Sequence, residues 1–174
     1  LTRLITGNYI LGHDTIQVIS KRELKPEHLE ETRRATQRLT GLGIVEQTLR
    51  QVTVQSFVDP TKFPVYGLIR RLHIVVSSMQ EAAVKALVEK RPDLADEVSH
   101  MESEADRIYW LVVRQLLLAI RDRSVGAKIG IESPTHVAGN RIVAKTLEEM
   151  ADSAENIAKE VLTIKDLSAA SESI

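Results

Sequence analysis

Three apolar stripes at helical spacing follow residue 60 and constrain the fold more than any other feature. In each stripe, aliphatic residues recur every three or four positions, which places them on one face of an α-helix. The stripes are Val65, Leu68, Ile69, Leu72, Val75, Val76, Met79 and Ala83; Leu94, Val98, Met101, Ala105, Ile108, Val112, Leu116 and Ala119; and Val143, Leu147, Met150, Ala154, Ile157 and Val161. Narrow stripes must be buried against one another, and short connections favour antiparallel neighbours. The sequence therefore predicts an antiparallel three-helix bundle.

Breaks between the stripes set the bounds of the predicted helices. Pro92 cannot continue the first helix but is tolerated at the start of the second. Residues 124–135, which contain two glycines and a proline, are predicted to form a loop before the third helix. Two further prolines, Pro60 and Pro64, separate the bundle from the preceding residues. We therefore expect two domains, at residues 1–59 and 60–174.

The N-terminal segment shows a different pattern from the bundle. Residues 8–11 and 15–19 flank a turn-like Gly-His-Asp sequence and are predicted to form a β-hairpin. A helix is expected from Pro26 to the glycines at 41 and 43, followed by strands at residues 44–46 and 52–54. The fold class is thus predicted to be α+β, with a small ββαββ module ahead of the helical bundle.

Composition and motifs exclude several classes of function. The chain of 174 residues has 23 basic and 24 acidic residues, which argues against nucleic-acid binding by bulk electrostatics. It has no cysteine, in keeping with a reducing, cytoplasmic location. Phosphate-binding loops, dinucleotide-binding glycine motifs and nucleophile elbows are absent, so we expect no enzymatic activity. The first residue is Leu1 rather than Met, and we expect the sequence to be a fragment.

Two pairs of acidic residues lie beside the apolar stripes of the second and third helices. Glu102 and Asp106 are four residues apart, as are Glu148 and Asp152, and Asn156 follows after four more. Side chains at this spacing lie one turn apart on one helix face. If the two helices pack side by side, the four carboxylates converge into an oxygen cluster of the kind that binds cations. The alternative is that these residues are solvated positions at the edge of charged helices.

The third helix carries a sequence pattern that resembles the PhoU family signature. The pattern consists of Leu147, a stretch with acidic residues at Glu148 and Asp152, and Asn156 with the Ile-Ala that follows it. Residues 94–109 resemble the preceding helix of that family. Two departures are Glu149 and Ala151, where arginine and glycine are usual.

The PhoU resemblance implies a function. It implies a helical regulator of phosphate uptake that acts through protein–protein contacts, at most peripherally to the membrane. The expected partner is the ATPase of the phosphate ABC transporter or another regulatory protein. It also implies metal binding (iron, zinc, nickel or magnesium) by Glu102, Asp106, Glu148 and Asp152, with Asn156 beside them. Typical members have two tandem bundles, and a homodimer of this chain would supply the second.

Two other classes of function stay open. The N-terminal module is similar to the linker of archaeal-type PhoU proteins, in which an AbrB-like DNA-binding segment comes first, so the chain could be part of a transcriptional regulator. A metal-storing carboxylate bundle is the third reading. An oxidase of the di-iron type is disfavoured because only one Glu-x-x-His motif is present, at Glu97 and His100, and both side chains are expected to point outward.

Overall fold

The structure, a computed structural model, describes the backbone of residues 1–171 and the side chains of residues 1–164. It confirms the α+β class, with a three-stranded sheet in the N-terminal part and long helices after it. The chain divides into two compact units. The first comprises residues 1–68 and 110–141, and the second comprises residues 69–109 and those from 142 on. These units differ from the sequence segments 1–59 and 60–174, whose boundary stays a prediction.

The sheet of the first unit is antiparallel, with the strand order β1-β3-β2. The strands are β1 (Thr15–Ile19), β2 (Leu42–Gln47) and β3 (Gln51–Ser56). The predicted strands at residues 44–46 and 52–54 are thereby confirmed. A bulge between Ile44 and Glu46 interrupts the pairing of β2 with β3.

The first predicted strand is wrong. Residues 8–10 belong to a helix, α1 (Thr2–Ile10), and β1 pairs with β3 rather than with the segment before it. A short apolar run does not distinguish strand from helix by periodicity. The helix is favoured over a strand here because Ile5 and Tyr9, which are four residues apart, both lie in the core. The module is therefore αβαββ, with the predicted helix present as α2 (Pro26–Gln37).

One apolar core fills the space between the sheet and these two helices. Its members are aliphatic or aromatic side chains at most 8% exposed, namely Ile5, Tyr9, Ile16, Ala35, Leu39, Leu42, Val52 and Val54. Trp110, which lies on a long helix later in the chain, packs against the same core. A module of about 60 residues is marginal on its own, and this one therefore gains apolar burial from a later part of the chain.

Three long helices follow: α3 (Val65–Glu89), α4 (Pro92–Arg121) and α6 (Pro134–Ser171). The break before Pro92 is confirmed. The predicted loop at residues 124–135 is wrong in part, because it contains a short helix, α5 (Arg123–Lys128), and the start of α6. Asp122 accounts for α5, since its carboxylate accepts hydrogen bonds from the backbone N–H groups of Ser124 and Val125.

Within the second unit, the segments of the three helices run antiparallel to their sequence neighbours. The connection from α3 to α4 is two residues long, and Arg71 on α3 donates a hydrogen bond of 2.6 Å to Glu104 on α4. On α6, Lys145 interacts electrostatically with Tyr109, and Lys159 interacts with Glu102. The position on α4 decreases as that on α6 increases, so these two segments are antiparallel, as the sequence predicts.

The buried seam of α6 differs from the predicted stripe. Leu147, Ala154 and Val161 are buried, but Val143, Met150 and Ile157 are between 36% and 47% exposed. Up to residue 164, the remaining buried positions of α6 are three alanines at a spacing of seven, namely Ala144, Ala151 and Ala158. A prediction that favours large apolar side chains therefore selects positions beside the buried face of α6. The buried face itself includes small residues, which allow close helix packing.

No helix in the described part of the chain is both long enough and apolar enough to cross a lipid bilayer.

Candidate functional site

The predicted ligand residues lie along the edges of α4 and α6 in the second unit. Glu102, Asp106 and Glu148 are half-buried, whereas Asp152 and Asn156 are exposed. Glu155, which the sequence reasoning left out, has a side chain only 18% exposed. The acidic edge of α6 is thus formed by Glu148 and Glu155, one heptad apart, more than by the predicted pair.

Lysine side chains neutralise this acidic edge. Lys145 bonds Glu148 at 2.5 Å and lies 3.6 Å from Glu149, and the hydrogen bond to Glu148 raises the pKa of Lys145. Lys159 bonds Glu155 at 2.6 Å. That hydrogen bond is the main cause of the raised pKa of Lys159, and the negative charges of Glu102 and Asp152 add to it. Both ammonium groups are therefore firmly protonated at neutral pH and act as the local cations.

The structure brings some of the predicted ligands into one neighbourhood without forming a metal cage. Lys159 bonds Glu155, and the negative charges of Glu102 on α4 and Asp152 on α6 act on the same ammonium group. Among residues 1–164, whose side chains the structure describes, no group of three or more His, Asp or Glu residues is arranged to hold a metal ion. Metal binding by Glu102, Asp106, Glu148, Asp152 and Asn156 stays a prediction. The Glu97 and His100 side chains are exposed, as expected.

A buried arginine in the first unit is the polar residue that sequence reasoning missed. Arg114 on α4 is 1% exposed. Its Nη1 atom donates to the carbonyl oxygens of Tyr9 at 2.5 Å and His13 at 3.2 Å, and its Nη2 atom bonds Asp14 at 2.8 Å. Two of these acceptors are backbone carbonyls at and after the C-terminal end of α1, where a cation is favoured by the helix dipole.

Tyr9 is held between this arginine and the end of α2. The Arg114 guanidinium carbon lies 4.9 Å from the centre of the Tyr9 ring, a cation–π distance. The Tyr9 hydroxyl donates to the carbonyl oxygen of Thr40 at 2.9 Å. Burial raises the pKa of Tyr9 to about 12, and the positive charge of Arg114 opposes that rise. The phenol therefore stays neutral and acts as a hydrogen-bond donor.

Two further side chains of α4 bind the backbone of the first unit. Gln115 donates hydrogen bonds of 2.6 Å to the carbonyl oxygens of Pro60 and Phe63, on the connection that leads into α3. Arg121 donates to the carbonyl oxygen of Leu11. Together with Arg114, these residues fix two irregular segments to α4.

The sequence does contain a signal for this arrangement. Residues 111–113 and 116–118 are all apolar, so this stretch of α4 is hydrophobic all round, which is typical of a helix enclosed on every side. Arginine and glutamine in the middle of such a stretch must be hydrogen-bonded, because burying them unpaired is costly. Residues 111–116 are indeed all buried.

Comparison with known families gives one match. The family described as PhoU domain matches residues 69–161, more than half of the chain. The match begins at the first residue of the second unit and includes all five predicted ligand positions. No curated protein and no solved structure matches the chain.

Proposed function

The chain belongs to the PhoU domain family, and from this premise we propose that it is a regulator of phosphate uptake that acts by binding other proteins. The family match over α3, α4 and α6 is the observation that carries the proposal. The proposed partner is the ATPase subunit of a phosphate transporter, at the cytoplasmic face of the membrane. No catalytic role is assigned to any residue.

The capture of a transporter ATPase tests the proposed function directly. Purified chain should bind the purified phosphate-transporter ATPase saturably in biolayer interferometry, because regulation by contact requires a measurable complex. The ATPase of an unrelated transporter is the control and should give no saturable signal. Binding to neither ATPase, or equal binding to both, would contradict the proposal.

Metal binding at the acidic edge is a finer part of the proposal. As the side chains lie, the ammonium group of Lys145 bonds Glu148, so a cation must displace Lys145 to reach that carboxylate. Carboxylate and amide oxygens suit magnesium, and they also serve intermediate metals such as iron, nickel or zinc. Because a lysine and a metal ion compete for the same carboxylate, removing the carboxylate and removing the lysine should change the metal affinity in opposite directions.

We expect Glu148→Gln to weaken metal binding and Lys145→Met to strengthen it. The first removes a charged ligand, and the second removes its competitor, each changing affinity by about threefold or more. Glu160→Gln, at an exposed acidic position of the same helix, is the matched control and should leave binding unchanged. Equilibrium dialysis against zinc, nickel, iron(II) and magnesium, followed by elemental analysis, measures occupancy. The absence of metal at any stoichiometry would rule out the site.

The proposal also includes a homodimer, and α6 has a surface that could form its interface. Four exposed apolar residues recur along this helix at a strict spacing of seven: Val143, Met150, Ile157 and Ile164. The row is about 31 Å long at 1.5 Å per residue. A seven-residue apolar repeat is typical of helices that pack along one another. In an antiparallel pair of copies, Met150 would face Ile157 of the partner subunit at the centre, so the row is self-complementary.

The dimer is tested by size-exclusion chromatography with light scattering. The wild-type chain should show twice the protomer mass of 19.4 kDa. Ile157→Glu should give the protomer mass, because two carboxylates would be buried at the centre of the interface. Val88→Glu is the control, since Val88 is 75% exposed on α3 and lies outside the row. A wild-type chain of protomer mass, or an unchanged mass for Ile157→Glu, would contradict this interface.

A further inference from the structure

An open cleft in the first unit contains polar groups that the proposed function does not use. It has a volume of about 770 Å³ and lies between the loop after α1, the end of β3 with the residues that follow it, and the C-terminal part of α4. Its walls include Asp14, Ser56, Arg114 and Arg121. All of them belong to the first unit.

Two guanidinium groups contribute to the same wall of this cleft. Arg114 and Arg121 are seven residues apart on α4, which is about two helical turns on one face. Each binds the backbone of the loop after α1, as described above, but neither uses all its donors. Arg121 is exposed, and apart from the bond to the carbonyl oxygen of Leu11 its side chain makes no hydrogen bond in the part of the chain that the structure describes.

Two buried polar atoms beside the cleft lack a partner. Arg114 Nε and the Ser56 hydroxyl are both buried, and neither has a hydrogen-bond partner within the described residues. The residues are 1% and 8% exposed, respectively. An unpaired buried donor costs about 1–3 kcal/mol. A ligand that presents several acceptor oxygens to this wall would satisfy both groups.

Three carboxylates also line the cleft, and their contacts decide where an anion fits. Asp59 accepts hydrogen bonds from the hydroxyl and backbone N–H of Thr61, and the hydroxyl bond is the main cause of its lowered pKa. Asp122 caps α5. Both carboxylates therefore already accept hydrogen bonds from the residues that follow them. Asp14 is different, because it bonds Arg114 while its side chain is 77% exposed.

Asp14 thus occupies the place that an external anion would take. Because the Asp14 side chain is exposed, water competes with Arg114 for its carboxylate, which weakens the hold of Asp14 on this place. An oxyanion with three or four oxygens would bond Arg114, Arg121 and Ser56 together, whereas Asp14 reaches only Arg114 among them. Arginine forks are suited to such oxyanions.

We propose that this cleft binds a phosphate-type oxyanion through Arg114, Arg121 and Ser56, in competition with the carboxylate of Asp14. The choice of phosphate over other oxyanions rests on the proposed function, whereas the site itself rests on the contacts described here. The ligand is either free inorganic phosphate or the phosphoryl group of a phosphomonoester. Binding would join the loop after α1, β3 and α4 through one ligand.

Titration calorimetry with inorganic phosphate on the full chain tests the site. Arg121→Gln should weaken binding about tenfold, because it removes a charged donor from an exposed position. Asp14→Asn should strengthen binding about two- to fivefold, because it removes the competing charge and keeps an oxygen acceptor for Arg114. Arg123→Gln is the matched control, since Arg123 is an exposed arginine two residues away that does not line this cleft.

The pattern across the variants decides the outcome. Weaker binding by Arg121→Gln and tighter binding by Asp14→Asn, with Arg123→Gln unchanged, supports the site. Equal affinities in all four proteins, or no binding of phosphate or glycerol phosphate by any of them, overturns it. Tighter binding of glycerol phosphate than of phosphate assigns the ligand to the phosphomonoesters, and the reverse assigns it to free phosphate. A chain that binds the transporter ATPase but not phosphate would overturn this inference alone.

Discussion

The first unit depends on the hydrogen bonds that the Arg114 guanidinium makes. Arg114 is 1% exposed, and its guanidinium bonds the carbonyl oxygens of Tyr9 and His13 and the carboxylate of Asp14. A buried charge is tolerated only when such bonds compensate for the loss of water. Gly12 lets the loop approach, since its φ of +83° is left-handed and a Cβ there would lie 2.4 Å from the Leu118 side chain. Contacts with α4 thus stabilise the small module, which is marginal on its own because of its size.

The helices after Pro60 could be predicted from the sequence because their apolar spacing is repeated over many turns. The predicted strand at residues 8–11 was wrong because only a few residues carried the pattern. There, the distant contact of Tyr9 with Arg114 stabilises a helix end that no local signal marks. The seam of α6 shows a different limit. Ala144, Ala151 and Ala158 are buried while larger apolar residues beside them are exposed, which depends on how closely the helices pack.

The candidate sites show a similar division between what spacing can and cannot reveal. The spacing of Glu148 and Asp152 predicted an acidic edge of metal ligands on α6, which stays a prediction, and the match of the PhoU domain covers both residues. The spacing did not indicate that Lys145 and Lys159, on the same helix, neutralise that edge. Nor could it indicate the cleft of the first unit, because Ser56 and Arg114 are 58 residues apart in the chain. Such sites depend on tertiary contacts that carry no periodicity.

Arg114 stabilises the first unit through its buried hydrogen bonds. Urea unfolding of Arg114→Gln and Arg123→Gln, followed by the fluorescence of Trp110, tests it most directly, since Trp110 packs against the core of that unit. We expect Arg114→Gln to lower the free energy of unfolding by about 3 kcal/mol or more and Arg123→Gln to change it by less than about 0.5 kcal/mol. Equal stability of the two variants would contradict the account.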